Sequence, residues 1–436
     1  MNKSPFELLG AAKELAKLDP KQINHAMLID IATHVSPELD RLLGAKRSGF
    51  SYAGNLFVQL YADLVGASVP SVVEDLNTFC IDAGICFQSY TVETFTNGKT
   101  RRAIPDQPGM SRFLARVKAP TPETAQEFGN LVLLAIVLYA RDADLLPSDV
   151  DIIADYHDEA CEMDANDPYC FKTKKGKAVH RTLSFTVLGK DLHLSFQNYK
   201  IKKGEAKLPY FERVLALLRE WGFNITYALL DRGFYRKALL EYLHGADVTV
   251  IMPARSCAGT RQKIKMWLLG RGKRVGTLYL KLRYIKKVGW KRLRMGVVLA
   301  GKRGYDMRKT KAQYRKGALP EAEAVRQIFP LLVVRARGKG ARAITGNENY
   351  IRSLYRLRWQ IEIQFRELRR IGIANWVQDR DKRLFRFDCK CVLYNLWQLA
   401  RKRFTQGTDF TLKEFCGRIL HNRAASDWTP LADIIA

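Results

Sequence analysis

Along this chain the spacing of apolar residues shifts from helical to extended and back, and the shifts divide it. From residue 4 to about 107 apolar positions recur every three or four residues, which predicts helices over 5–18, 20–34, 56–64 and 69–79. The last two flank Gly66-Ala67-Ser68 in the manner of a helix-turn-helix. A Gly/Pro-bearing stretch at 97–108 reads as a linker, and 123–141 as an apolar helix whose connection closes at Leu146-Pro147-Ser148. The period then drops to two. Residues 150–154 predict a short apolar strand ending in Asp155, 156–178 a polar loop, and 179–188 with 192–199 a hairpin turning at Gly189-Lys190-Asp191. Phe211, Val214, Leu215, Leu218 and Trp221 mark an amphipathic helix over 209–221. A strand over 225–230 ends in Asp231, and a helix over 233–243 and a strand over 247–252 follow.

Strand, strand, strand, helix, strand, helix, strand is the order of an RNase H-like fold, in which crossovers extend a meander into a mixed sheet. The expected class is α/β: an RNase H-like core with a β-rich insertion and a mainly α-helical N-terminal domain. Alternation at 278–285, 292–299 and 329–334 supplies the insertion, and residues 302–316 read as a polar, mobile arm. A helix over 355–369 resumes the core, and 388–404 and 412–421 predict two more. The divisions that follow are 1–107, helical and suited to binding DNA ends; 108–149, a helical connector; 150–254, the first part of the core; 255–344, the insertion; 345–372, the returning core helix; and 373–436, a helical C-terminal region.

Composition changes this picture mainly through charge. A chain of 436 residues that is 47% hydrophobic can bury a core and fits two or three domains. The longest apolar run is about half of what a membrane helix needs, no leader pattern is visible, and the eight cysteines lack regular spacing, so a cytoplasmic, reduced, membrane-free protein is expected. The net charge of +28 is uneven. Residues 255–342 hold 26 Lys or Arg against three acids, Asp306, Glu321 and Glu323, whereas residues 1–99 hold eight Lys or Arg against eleven acids. So concentrated a positive field suits a polyanion, and double-stranded DNA is the expected partner.

The chemistry centres on the helix over 355–369, which Thr345 and Glu348 announce as a capping box. At about 100° per residue, Tyr355, Arg358, Glu362 and Arg369 share a stripe about 60° wide, so one acid lies among cations. Leu354, Leu357, Ile361, Phe365 and Leu368 form the adjoining stripe expected to enter the core. Glu362 thus joins Asp155 and Asp231 as a carboxylate aimed at one cleft, where paired carboxylates repel unless a hard cation neutralises them. Each acid also has an ordinary use. Asp231 can cap the following helix, Glu362 can pair with Arg358 or Arg366, and Asp158, Glu159, Asp164 and Asp167 compete with Asp155.

The run Tyr355, Arg358, Glu362, with Arg369 seven residues on, resembles the Tyr-x2-Arg-x3-Glu-x6-Lys signature of prokaryotic insertion-sequence DDE transposases. Asp231-Arg232-Gly233-Phe234-Tyr235 is similar to their second-aspartate motif, and Asp155 matches the first aspartate by position. The resemblance spans residues 150–371 and departs at Arg369, where the family has lysine. It implies catalytic and metal-binding roles for Asp155, Asp231 and Glu362, with two Mg²⁺ ions that Mn²⁺ can replace, and DNA contacts by Tyr355, Arg358 and Arg369; Arg232, beside Asp231, is a further candidate DNA contact. It further implies hydrolysis at the element's ends to give a 3′-OH, transfer of that end into target DNA, and a homo-oligomer holding paired ends. A nuclease that does not join, and a non-catalytic DNA-binding relative, are the alternatives. Trp290 and Trp267, in the basic segment, are candidates for stacking on an unpaired base. His157, Cys161, Cys170 and His180 offer zinc-type ligands at irregular spacing.

Overall fold

The computed structural model describes residues 51–65, 69–82, 104–118, 122–162, 164, 166–173, 175–285, 289–302, 304–334, 347–371, 380–404 and 411–421, together with 28, 32, 33 and 36. The helix expected over 5–18, most of that over 20–34, and Thr345 of the capping box lie outside these residues. Among the described residues from 51 on, four helices come first: α1 (Tyr52–Val65), α2 (Val69–Asp82), α3 (Gln107–Lys118) and α4 (Pro122–Asp142). The core follows as β1 (Asp149–Ala160), β2 (Cys170–Lys172), β3 (Ala178–Gly189), β4 (Leu192–Lys200), α5 (Leu208–Glu220), β5 (Asn224–Leu230), a 3₁₀ turn (Arg232–Phe234), α6 (Lys237–Gly245) and β6 (Thr249–Pro253). Then come α7 (Ala258–Leu268), β7 (Val275–Ile285), β8 (Gly289–Gly301), α8 (Met307–Arg315), α9 (Glu321–Gln327) and β9 (Ile328–Val334). The chain continues as α10 (Glu348–Leu357), α11 (Trp359–Leu368), α12 (Arg380–Phe404) and α13 (Leu412–His421).

The nine strands among the described residues join one sheet, with β2 and β4 side by side against β3 and then β1, β5, β6, β9, β8 and β7 in order. β1, β3 and β4 form the antiparallel meander, and β5 and β6 extend it in parallel through crossovers bearing α5 and α6. This is the RNase H-like arrangement. Alternation along the strands sends neighbouring side chains to opposite faces. Phe185 meets Phe211 of α5 on one face, with ring centroids 4.9 Å apart. On the other, Thr186 donates to Gln364 of α11 at 3.0 Å and His157 stacks on Phe387 of α12 at 4.4 Å.

β4 lies at the sheet's edge, and its outer backbone is satisfied by side chains. Asn395 of α12 accepts from the N–H of Ser195 and donates to its C=O, both at 2.8 Å. Asn130 of α4 treats Asn198 the same way, at 2.7 and 3.0 Å. Two amides thus stand in for the strand that is missing, and the edge cannot recruit another. The N-terminal helices are tied to the same helix α12. Asp63 of α1, fully buried, pairs with Arg386 at 3.0 Å, and Phe113 of α3 meets Phe385 edge-on.

Four expectations change. β1 runs through Asp155 to Ala160, because Tyr156 to Ala160 pair with β3 although their side chains are mostly polar. The strands of the basic segment add to the main sheet through β6–β9 pairing and do not build a separate β core. The supposed arm contains α8, whose N-cap Asp306 accepts from the N–H groups of Arg308 and Lys309. Finally, the outward face of α2 consists of Pro70, Ser71, Glu74, Asp75 and Thr78, so the second helix of the suspected helix-turn-helix offers acids where a groove-reading helix needs cations. No single helix among the described residues is long and apolar enough to cross a membrane.

Candidate active site

β1 and β5 stop pairing at Ala154 and Leu230, which are partners in the parallel ladder. Asp155 and Asp231 are the next residues on each strand, so both leave the ladder at the same level. β1 continues along β3 while β5 turns away into the 3₁₀ turn, and a cleft opens between them. Asp231 occupies the N-cap position of that turn, yet its side chain makes no capping hydrogen bond. Its carboxylate is not consumed by the cap. A Cβ added at Gly233 would lie 3.9 Å from Asp231 Oδ2 and 3.7 Å from the Tyr156 ring, so glycine leaves this wall of the cleft open.

Glu362 arrives on α11, the helix whose Gln364 accepts from Thr186 of β3. The helix expected over 355–369 is two segments joined at Arg358, where the turn tightens: Arg358 N–H donates to Tyr355 O and Ile361 N–H to Arg358 O, each three residues apart. That tightening breaks the 3.6-residue phase. Leu357, expected in the core stripe, is 37% exposed, while Arg358 is drawn inside with its side chain 9% exposed. Arg358 Nη1 donates to Asp155 Oδ2 at 2.8 Å and Nη2 to Glu362 Oε1 at 2.5 Å. The intrahelical pair allowed for Glu362 is therefore present, and the same guanidinium also reaches an acid 203 residues away.

Burial pushes the Asp155 carboxyl up to about 6; the Tyr156 N–H and the Arg358 charge oppose the shift, and Asp231 and Glu362 add to it. Burial also works against the charge on Arg358, but Tyr355, Asp155 and Glu362 outweigh it and raise its pKa. The acids that competed with Asp155 in the sequence are engaged elsewhere. Asp158 takes two hydrogen bonds from Arg181, Glu159 lies 3.7 Å from His157, Asp164 accepts from Asn166 N–H, and Asp167 faces His180. Three carboxylates without a soft donor are the ligand set of a hard divalent ion. Among the described residues no three His, Cys, Asp or Glu side chains already converge closely enough to hold one, since Arg358 stands between Asp155 and Glu362.

Residues 163–376 match the family model for the transposase DDE domain. The chain carries a DDE transposase domain. Its activity is that of a DNA transposase, which cuts and joins phosphodiesters with divalent metal ions. The match takes in Asp231, Glu362 and Arg369 and begins eight residues after Asp155. No curated protein sequence matches the chain. Similar solved structures include a piggyBac transposase synaptic complex with hairpin DNA, at 9% identity and TM-score 0.45 over 99% of this chain and 84% of that one. A Drosophila P element transposase strand transfer complex is similar at 11% identity and TM-score 0.27, over 88% of this chain and 87% of that one.

Around the acids of the transposase domain, Arg232 is exposed on the 3₁₀ turn and Arg369 is exposed at the end of α11, donating to Phe365 O at 3.1 Å. Tyr355 is buried against Phe329, its hydroxyl pushed up to about 12 by burial. Trp267 is buried in α7 with the Lys311 ammonium 5.0 Å above its ring, so it has no free face for a base. The side chain of Trp290 lies outside the described residues. The suspected zinc quartet does not assemble: Cys161 and Cys170 lie 3.7 Å apart, but His180 is held by Asp167 and His157 is stacked between Phe365 and Phe387. One residue escaped the sequence reading altogether. Trp359 is 56% exposed beside Arg358, 5.7 Å from its guanidinium, and an exposed tryptophan in an otherwise core-seeking helix was the available signal.

Proposed function

We propose that Asp155, Asp231 and Glu362 are the metal ligands and catalytic acids of this transposase, using two Mg²⁺ ions for which Mn²⁺ can substitute. The observation that carries the reading is the joint position of the acids: two leave adjacent strands at one level, and the third shares a guanidinium with the first. When bound, the ions supply activation of the attacking oxygen and charge relief for the leaving one. The residues of the chain do the rest. The sheet fixes the two aspartates, α11 presents Glu362, and exposed Arg232 and Arg369 give phosphates a place to sit. The basic segment of residues 255–342 holds the duplex by charge, and its sequence-independent part should weaken steeply with salt. The reaction is hydrolysis at an element's end to a 3′-OH, then attack of that hydroxyl on target DNA within a homo-oligomer, in a prokaryotic cytoplasm at the nucleoid.

A strand-transfer assay on DNA carrying the element's ends tests this. Asp155→Asn, Asp231→Asn and Glu362→Gln should each lower cleavage and joining by about 10³-fold or more while leaving duplex binding intact. Cleaved ends that never join would reduce the protein to a nuclease, and full activity in Asp231→Asn and Glu362→Gln would remove the triad from the chemistry.

A further inference from the structure

Arg358 is buried further than an ion pair on a helix surface requires. Its Nε is buried and has no hydrogen-bond partner, its guanidinium lies 5.8 Å from the Tyr355 ring, and the helix breaks its regular bonding to aim it inward. Leaving a donor unpaired in a buried cation costs free energy, which the two carboxylates must offset. The atoms they offer are Asp155 Oδ2 and Glu362 Oε1, at 2.8 and 2.5 Å. A divalent ion held by these two acids would draw on the same carboxylate charge, and the second Asp155 oxygen, Oδ1, already accepts from Tyr156 N–H at 2.8 Å, so the guanidinium and the ion would compete for Asp155.

We propose that Arg358 and a divalent cation occupy the gap between Asp155 and Glu362 alternately, so that Arg358 is a positioning residue that stands in for the metal in the metal-free protein. This rests on the assignment of Asp155, Asp231 and Glu362 as metal ligands. With its single charge, Arg358 keeps two of three mutually repelling acids together. It leaves the third unpaired, so a doubly charged ion can displace it. Arg358 thereby sets how much metal is needed before the site loads, and once displaced its guanidinium is free beside the exposed Trp359.

The test uses the full chain and Mn²⁺, with free ion read by electron paramagnetic resonance and stability by thermal melting. Arg358→Gln should bind Mn²⁺ at least about tenfold more tightly than the unsubstituted protein, melt lower without metal, and gain more from saturating Mn²⁺. Arg358→Lys, which keeps a cation but loses the fork, should bind with intermediate affinity and serves if Arg358→Gln does not fold. Mn²⁺ affinity that is unchanged or weaker in these variants overturns the exchange. Adding Glu362→Gln or Asp231→Asn to either variant should abolish the binding. If it does not, the ligand assignment itself is wrong; if it does, yet removal of Arg358 brings no tightening, only the exchange fails.

Discussion

Burial favours the neutral form of both Asp155 and His193, which raises the pKa of one and lowers that of the other. His193, on β4, is pushed down from 6.5 to about 4, first by burial and then by the Arg401 charge. As a neutral ring it accepts from Gln398 Nε2 at 3.2 Å, and protonation would turn that acceptor into a donor. The unfolded chain takes up a proton at this histidine below about 6.5 and the folded chain only near 4, so its contribution is intact above 6.5 and lost as pH falls between those values. The full loss is about 3 kcal/mol. Urea unfolding at neutral pH and at pH about 5 should show His193→Gln losing less stability on acidification than the unsubstituted protein. Equal losses would show that His193 titrates normally.

At the level of elements, the amides on β4 carry a measurable load. Asn395→Leu strands both the N–H and the C=O of Ser195, at a cost of roughly 2–5 kcal/mol, and should turn a protected edge into an aggregating one. Chemical denaturation and light scattering would detect both, and a cost under about 0.5 kcal/mol would mean that water satisfies the strand equally well. Which elements could be read from the sequence follows from what holds them. β3, β4 and β5 announce themselves because their runs of apolar, aromatic and β-branched residues between turn residues are what strands buried in a sheet require. The far half of β1 does not, since Tyr156-His157-Asp158-Glu159 is held by backbone pairing that carries no hydrophobic mark. α8 was hidden by its cations, although Asp306 in capping position was visible all along. In the site, the four-residue spacing of Arg358 and Glu362 could be read directly, whereas the reach of Arg358 to Asp155 depends on a kink that no periodicity encodes.

Across the whole molecule, α12 is the member that joins the N-terminal helices to the catalytic sheet. Its Arg386 pairs with fully buried Asp63, and complete burial pushes the carboxyl of its Asp388 well above the usual carboxylate range. A Cβ at Gly129 of α4 would overlap the Asp388 side chain, so the two helices cross where only glycine fits. Arg386→Met should cost about 3–5 kcal/mol by leaving Asp63 buried and uncompensated, and should lower one cooperative transition for N-terminal helices and core together. Adding Asp63→Leu should recover most of that loss. Two separate melting transitions, one of them unmoved, would show that the N-terminal helices fold as an independent unit.

The amide seal on β4 also has a clock. Ser195 and Asn395 are 200 residues apart in sequence. At roughly 5–20 residues per second, a ribosome needs roughly 10–40 s between making the strand and making the side chain that covers it. Through that interval the Ser195 stretch of β4 is an open edge on a nascent chain, and only the Asn198 end has its covering amide, Asn130, already made. How much of the protein reaches its DNA should therefore depend on how fast it is translated and on what shields that one strand in the meantime.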